Sequence, residues 1–403
     1  MDLIGKPRLI RKINTKLILK HIRNEKITTR SELYKLTNLS RQTVNNIIAS
    51  LIKKNLVIKS GYSNSTKEGG KRPLLLKFNS SAYFLIGTMI GLHKIRCGVT
   101  DLSGNIINEK YTKTQKDSGA ENIIKRLTSL ISKTINDSNI CRNKILGIGI
   151  GMPGIVDFRK GLVKVLPLFA GLENVPLKKI LEKEFNIPVI IDNENRMRAV
   201  GEKWFGLGKN VHNFITLITG DGIGAGIVIN DEIVRGSNFI CGEIGHTKLK
   251  LDGPVCACGG RGCFETLINT KRINELFKKI ARNSNYKDSS LLKVYEQNGK
   301  ISFQDLFLNY NKRDKFSELV MEEIIYWFCV GISNLICSYD PEIIIIHGKY
   351  LALNERFFKK VEEVAHKNIF PKIKKKIKIK KSKIGHDIGV IGSASMVLDI
   401  TDF

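Results

Sequence analysis

One stretch constrains this chain more than any other: Gly242 to Leu267, GEIGHTKLKLDGPVCACGGRGCFETL. It places His246, Cys256, Cys258 and Cys263 within eighteen residues, and glycines at 253, 259, 260 and 262 let the segment fold back on itself. Zn²⁺ takes four tetrahedral imidazole and thiolate ligands, and short cysteine spacings beside a histidine are how a loop supplies them. Buried or stray cysteines are the plainer alternative, and the spacing argues against it. Glu243 and Glu265 flank the ligands. A metal that fixes His246 also fixes where those carboxylates point, and carboxylates beside an imidazole suit the hydroxyls of a polyhydroxylated molecule. Solvated loop charge is the competing account of both acids.

Gly-Glu-Ile-Gly-His followed by Cys-x-Cys-Gly-Gly-x-Gly-Cys-x-Glu resembles the signature of the ROK family, which contains sugar-responsive repressors and sugar kinases. The resemblance runs over nearly the whole chain. It implies a structural zinc ion and sugar contacts from Glu243, His246 and Glu265, with Gly154, Asn193 and Glu194 completing the sugar site.

The length of 403 residues allows two or three domains with real cores. No run of about eighteen apolar residues is present, so no membrane span is expected. The N-terminus, MDLIGKPRLIRKIN, lacks the apolar segment of a secretory signal. Eight cysteines without an export signal fit a reducing cytoplasm, with Cys97, Cys141, Cys241, Cys329 and Cys337 as free thiols. The net charge is +28, and residues 1–80 hold 18 basic against 4 acidic side chains, a net of +14. A fifth of the chain thus carries half the excess, which points to a polyanionic partner for that segment. A second basic run, Pro371 to Lys383, reads instead as a solvated strand face, because Ile377 and Ile379 alternate with lysines.

Within the first eighty residues, Asn14 to Arg23 reads as a helix. Thr29-Arg30-Ser31-Glu32 fits a capping box that starts a second helix through Leu36. Ser40 can cap a third helix, in which Val44, Ile47, Ile48 and Leu51 form a buried stripe. That leaves Arg41, Gln42, Thr43, Asn45 and Asn46 early in the helix, with Arg41, Gln42, Asn45 and Asn46 exposed and suited to phosphates and base edges. Leu56-Val57-Ile58 and Leu74-Leu75-Leu76 can pair around a loop ending Gly69-Gly70-Lys71-Arg72-Pro73, whose Lys71 and Arg72 suit a minor groove or phosphates. Helix, helix, helix, hairpin is a winged helix-turn-helix for double-stranded DNA. A small helical dimerisation module is the other reading. The segment also resembles the DNA-binding arm of ROK repressors, which the family's kinases lack.

From Tyr83 the pattern is α/β. Strands at Tyr83–Ile90, Lys94–Thr100 and Ile106–Thr112 form a meander, followed by a helix at Ile123–Ile135 and a buried strand at Ile145–Ile150. A helix at Leu177–Phe185 leads into a strand at Pro188–Ile191. Strands return at Phe214–Ile218, Gly226–Ile229 and Ile343–Ile346, around long helices across 266–337. This order resembles the duplicated, two-lobed, ribonuclease-H-like fold of actin and sugar kinases. The expected division is an arm at 1–80, a first lobe at 81–192 with 386–403, and a second lobe at 193–385 carrying the zinc loop and an oligomerisation surface.

The resemblance includes kinases, and several positions test for one. Where ROK kinases have Asp-x-Gly-Gly-Thr, this chain has Met89-Ile90-Gly91-Leu92-His93, and a phosphate loop cannot easily lose its glycine. Asn193-Glu194 stands where the family has Asn-Asp, and the extra methylene displaces the base by about an ångström. Asp221 replaces a Thr in the second glycine-rich loop, where a carboxylate repels phosphate. His347-Gly348 stands for a Gly-Gly, and Leu168 for a sugar-contacting Asn, which slightly favours xylose over a hexose. The expectation is therefore not an enzyme but a cytoplasmic, sugar-responsive repressor acting as a homodimer or dimer of dimers on a palindromic operator. An ATP-dependent sugar kinase with a DNA-binding arm is the alternative.

Overall fold

The computed structural model describes residues 7–63, 72–166, 169, 171–282, 289–369 and 377–401. The arm runs α1 (Pro7–Glu25), β1 (Ile27–Thr29), α2 (Arg30–Thr37), α3 (Arg41–Lys53), β2 (Val57–Tyr62) and β3 (Leu74–Phe78). Both halves of the capping box form at the start of α2: Glu32 N–H donates to Thr29 Oγ1 (3.2 Å), and Thr29 N–H donates to Glu32 Oε2 (2.7 Å). Asn38 ends α2 in the left-handed conformation (φ 54°), and Ser40 Oγ accepts from Thr43 N–H to open α3. Val44, Ile47, Ile48 and Leu51 are all buried. Ser63 N–H closes the hairpin on the Pro73 carbonyl at 2.9 Å.

Two features differ from expectation. α1 begins at Pro7 rather than Asn14, proline being tolerated in a first helical turn. The three-residue β1 pairs with β3, giving a sheet of order β1-β3-β2.

The first lobe contains β4 (Phe84–Ile90), β5 (Lys94–Asp101), β6 (Ile106–Lys113), α4 (Ala120–Asn136), β7 (Ile145–Met152), β8 (Ile155–Asp157), β9 (Leu162–Val165), α5 (Leu177–Phe185) and β10 (Val189–Asn193). After α6 (Glu194–Phe205) come β11 (Phe214–Thr219), β12 (Gly224–Ile229), β13 (Glu232–Ile233), α7 (Phe264–Ile268), α8 (Thr270–Arg282), α9 (Ser290–Asn298), α10 (Phe303–Asn311), α11 (Lys315–Tyr339), β14 (Ile343–Gly348), α12 (Glu355–Lys367), β15 (Lys378–Lys381) and α13 (Ile388–Ile400). The two five-stranded sheets have orders β10-β7-β4-β5-β6 and β13-β12-β11-β14-β15. Ignoring the small β8–β9 ribbon, each sheet places its strands as third, second, first, fourth, fifth from one edge. That repeated order is the duplication expected of the α/β fold.

α13 returns to pack on β4, β7 and α6. It is buried from Ile388 to Leu398, which is why its composition is apolar all round. A Cβ on Gly149 of β7 would lie 1.7 Å from the Ser393 carbonyl oxygen, so the helix backbone rests directly on the sheet. α6 and α13 also meet through glycines: a Cβ on Gly201 would lie 3.0 Å from Gly392 Cα.

α11 is long and apolar enough to cross a membrane, but most of its apolar residues are buried in the core around the second five-stranded sheet, against α7, α8, α10 and α12. At the edge of that lobe, Ile377 and Ile379 point inward while Lys378 and Lys380 are exposed, as the alternation requires.

Candidate functional site

Gly242–Leu267 folds as a compact loop against the end of β12, with Ala225 N–H donating to the Gly242 carbonyl at 2.8 Å. Gly262 holds φ +63°, and a Cβ there would lie 1.4 Å from the Lys250 carbonyl oxygen, so this crossing of the loop admits only glycine. The result brings the donors of His246, Cys256, Cys258 and Cys263 within 4.8 Å of one another. Cys258 and Cys263 sulfurs are 3.6 Å apart, and Cys256 Sγ is 3.6 Å from His246 Nδ1. A tetrahedral ion with metal–sulfur bonds of about 2.3 Å would hold sulfurs about 3.8 Å apart. The cluster could therefore hold a metal ion with little rearrangement. The Gly260 backbone N–H and the neighbouring sulfurs lower the Cys258 thiol to about 7, making it the readiest thiolate. Lys248 Nζ lies 2.7 Å from Cys263 Sγ and 3.8 Å from Cys258 Sγ, a cation beside the sulfurs that motif spacing does not reveal.

Next to the cluster, Cys256 Sγ is 3.2 Å from Glu265 Oε1, and His246 Nδ1 is 3.7 Å from the same oxygen. Asn193, at the end of β10, donates from Nδ2 to the Gly154 carbonyl (2.9 Å) and to Glu243 Oε1 (3.3 Å). Its Oδ1 caps α6 by accepting from Asn195 N–H at 2.8 Å. Thus Gly154, Asn193 and Glu243 meet directly, and His246 and Glu265 adjoin each other. Burial raises the Glu243 carboxyl; His246 and Arg196 pull it back in part, while Glu194 and Glu265 push it further up. Glu194 is the first residue of α6 and pairs with Arg198 at 2.9 Å, so its charge is already committed to a neighbour one turn on.

Behind these residues lies a network that the sequence reading missed. Asp192 and Arg196 are wholly buried and paired at 2.7 Å; Arg235 Nε joins Asp192 at 2.9 Å, and Arg196 also donates to the Phe239 and Cys241 carbonyls. It ties α6 to the segment that delivers Glu243. The i, i+4 spacing of Asp192 and Arg196 was its only local signal.

Positions expected to face phosphates are otherwise occupied. Met89 is buried against Gly151 and Gly389, and Leu92 and His93 form the tight turn between β4 and β5. Burial raises the Asp221 carboxyl, but Lys349, at 2.7 Å, and Thr270 outweigh that and leave it lowered. His347 is buried, and burial drops it to about 3, so it stays neutral. Leu168 and Lys71 lie outside the described residues.

In the arm, Arg41, Gln42, Asn45, Asn46 and Arg72 are exposed, and Thr43 is half-buried with its hydroxyl 2.9 Å from Ser40 Oγ. Asn45 Oδ1 accepts from the Tyr34 hydroxyl at 2.9 Å, which aims the amide.

The ROK family model matches residues 85–400, most of the chain and both five-stranded sheets but for the first residue of β4. The chain belongs to the ROK family. This ROK protein is 33% identical over 395 residues to the xylose repressor of Caldicellulosiruptor bescii, covering 98% of each chain. It is 29% identical to the glucokinase of Halalkalibacterium halodurans over 313 residues, 77% of this chain and 94% of that one. Among solved structures, a ROK family transcriptional regulator, a homolog of the E. coli MLC protein, superposes with a TM-score of 0.81 at 22% identity, covering 97% of this ROK chain and 96% of the other. That likeness extends the shared fold through the arm.

Proposed function

We propose that this ROK protein is a cytoplasmic, sugar-responsive transcriptional repressor, with xylose or another monosaccharide as effector. The observation that carries the reading is the fusion of a basic arm to a ROK core, matched end to end by a xylose repressor. The arm is a winged helix-turn-helix with α3 as the recognition helix. Arg41, Gln42, Thr43, Asn45 and Asn46 face the major groove, and Arg72, with Lys71 beside it in sequence, supplies the basic contacts of the wing segment. Two arms of a homodimer, or of a dimer of dimers, take a palindromic operator. The division into 1–80, 81–192 with 386–403, and 193–385 is supported by the return of α13 to the first sheet.

The sugar site comprises Gly154, Asn193, Glu194, Glu243, His246 and Glu265. Structural Zn²⁺ is held by His246, Cys256, Cys258 and Cys263, and it orients the imidazole and Glu265 toward the sugar. Cys258→Ser is expected to lose about one equivalent of zinc by elemental analysis and at least tenfold in sugar affinity by calorimetry. Full zinc content with wild-type sugar affinity in that variant would remove the loop from ligand recognition.

The reading as a non-enzyme rests on Met89, Leu92, Asp221 and buried His347 at the nucleotide side. The second reading, an ATP-dependent sugar kinase carrying an arm, is favoured by the glucokinase match alone. The deciding experiment is fluorescence anisotropy on DNA from upstream of the protein's own gene, titrated with a sugar panel at fixed salt, since salt alone moves such affinities by orders of magnitude. One sugar is expected to shift operator affinity about tenfold. DNA binding that no sugar alters contradicts the effector role, and ATP-dependent sugar phosphorylation establishes the kinase instead.

A further inference from the structure

One flank of α1 carries the exposed Lys16 and Lys20 and the half-buried Arg23, at i, i+4 and i+7, and the end of α6 adds Lys203. Between them lies a cavity of about 260 Å³ with Leu19, Phe78, Leu102 and Leu398 in its walls. Lys16 Nζ donates to the Asp399 carbonyl at 3.1 Å, and Lys203 Nζ donates to the Asp231 carbonyl. Lys20 and Arg23 make no hydrogen bond or ion pair with a described residue. The Arg23 guanidinium instead lies 4.4 Å over the Trp204 ring and 5.7 Å from Phe205.

The acids in the wall do not balance these cations. Asp231 is paired with His212, and Asp399 accepts from Trp204 Nε1 at 3.0 Å, where burial first and foremost raises its carboxyl. Burial also lowers Arg23 to about 10. Neighbouring Lys209 is lowered by burial and then by repulsion from Arg23 and Lys20. Lys16 and Lys20 are solvated, but the Arg23 guanidinium is largely withdrawn from water over an apolar floor with no carboxylate partner among the described residues, and an anion there would stabilise it.

We propose that this junction between arm and core binds a small organic anion, whose apolar body lies on Leu19, Leu102 and Leu398 and whose carboxylate or phosphate head takes Lys20 and Arg23. The site is separate from the proposed sugar residues, because α6 places about 15 Å between Glu194 and Trp204. Asn210, Asp231 and Asp399 also line it, but Asp231 is committed to His212 and Asp399 to Trp204, which leaves the unpaired cations as its free charged groups. Its volume lies just below the range of drug-sized pockets, about 300–1,000 Å³, which suits a single ring with one head group. DNA phosphates are the weaker reading, since a duplex backbone offers no apolar body to cover the floor. A ligand here touches α1, α6 and α13 at once and so sets the angle of the arm.

The test uses the full-length protein with Trp327→Phe, leaving Trp204 as the sole tryptophan, and phenyl phosphate as probe. Saturable quenching is expected, with inorganic phosphate and benzyl alcohol each binding at least about tenfold more weakly, since each supplies half of the recognition. Lys20→Gln should weaken phenyl phosphate about tenfold, and Leu19→Phe should block it by filling the cavity with every charge kept. No saturable response, or a response indifferent to both variants, overturns the proposal. So does a Lys20→Gln variant whose only change is a shallower salt dependence of DNA binding, which would make these residues phosphate contacts.

Discussion

Replacing Arg196 with alanine is expected to lower the stability of this protein by about 3–5 kcal/mol, the loss typical when one partner of a buried ion pair is removed. The Asp192 carboxylate is wholly buried and is held by three donors: Arg196 (2.7 Å), Arg235 (2.9 Å) and the Asn193 N–H (2.7 Å). Without Arg196 it keeps a charge with only the half-covered Arg235 to answer it, and the Phe239 and Cys241 carbonyls lose their donor as well. Urea unfolding reads the loss directly. Asp192→Asn combined with Arg196→Ala should be less damaging than the sum of the two, because the orphaned charge disappears with the acid. Additive losses, or a loss under about 1 kcal/mol for the single variant, would mean that the pair is not the joint described. If Glu243 belongs to the sugar site proposed above, the same variant should also impair sugar binding beyond its effect on stability, since the Arg235–Cys241 segment positions Glu243.

Gly149→Ala is expected to be comparably severe, at or above the roughly 3 kcal/mol upper range of overpacked cores. Its methyl would stand 1.7 Å from the Ser393 carbonyl oxygen and 2.6 Å from the Ser393 carbonyl carbon. Both are backbone atoms in the middle of α13, so relief requires the whole helix to lift off β7. Gly220→Ala is the matched control: its nearest neighbour is the flexible Lys349 side chain at 3.7 Å, and its stability should remain within about 0.5 kcal/mol of the parent. Thermal unfolding of the pair settles the point, and a Gly149→Ala protein as stable as Gly220→Ala would contradict the packing.

How much of this was legible in the sequence follows the range of the interactions. Ser40 and the stripe of Val44, Ile47, Ile48 and Leu51 are local, and α3 forms where they place it. α5 spans Leu177–Phe185 as its apolar spacing indicates. The four cysteine and histidine donors are brought together because they share one glycine-rich loop. β1 escaped notice because three residues carry no periodicity of their own, and the pairing with β3 crosses nearly fifty residues. The Asp192–Arg196–Arg235 network was missed for a related reason: charged side chains read as surface until the fold buries them. The family resemblance makes Glu194 a sugar contact, and its partner Arg198 lies only four residues away. There the signal was present, and the helix had to be known before it could be used.

α6 has a consequence for how the molecule moves. Asn193 and Glu194 stand at one end, Trp204 clasps Arg23 of the arm at the other, and mid-length the helix crosses α13 at Gly201 and Gly392. At that crossing the two backbones approach closely, with the Ile388 side chain also packed on Gly201, so it is the fulcrum of the helix. About 15 Å of rigid helix is then a lever, and a tilt of about 5° about Gly201 moves the Trp204 end by about 0.4 Å. A displacement of that size is small inside a lobe, but it is passed on through Arg23 to the base of the N-terminal arm.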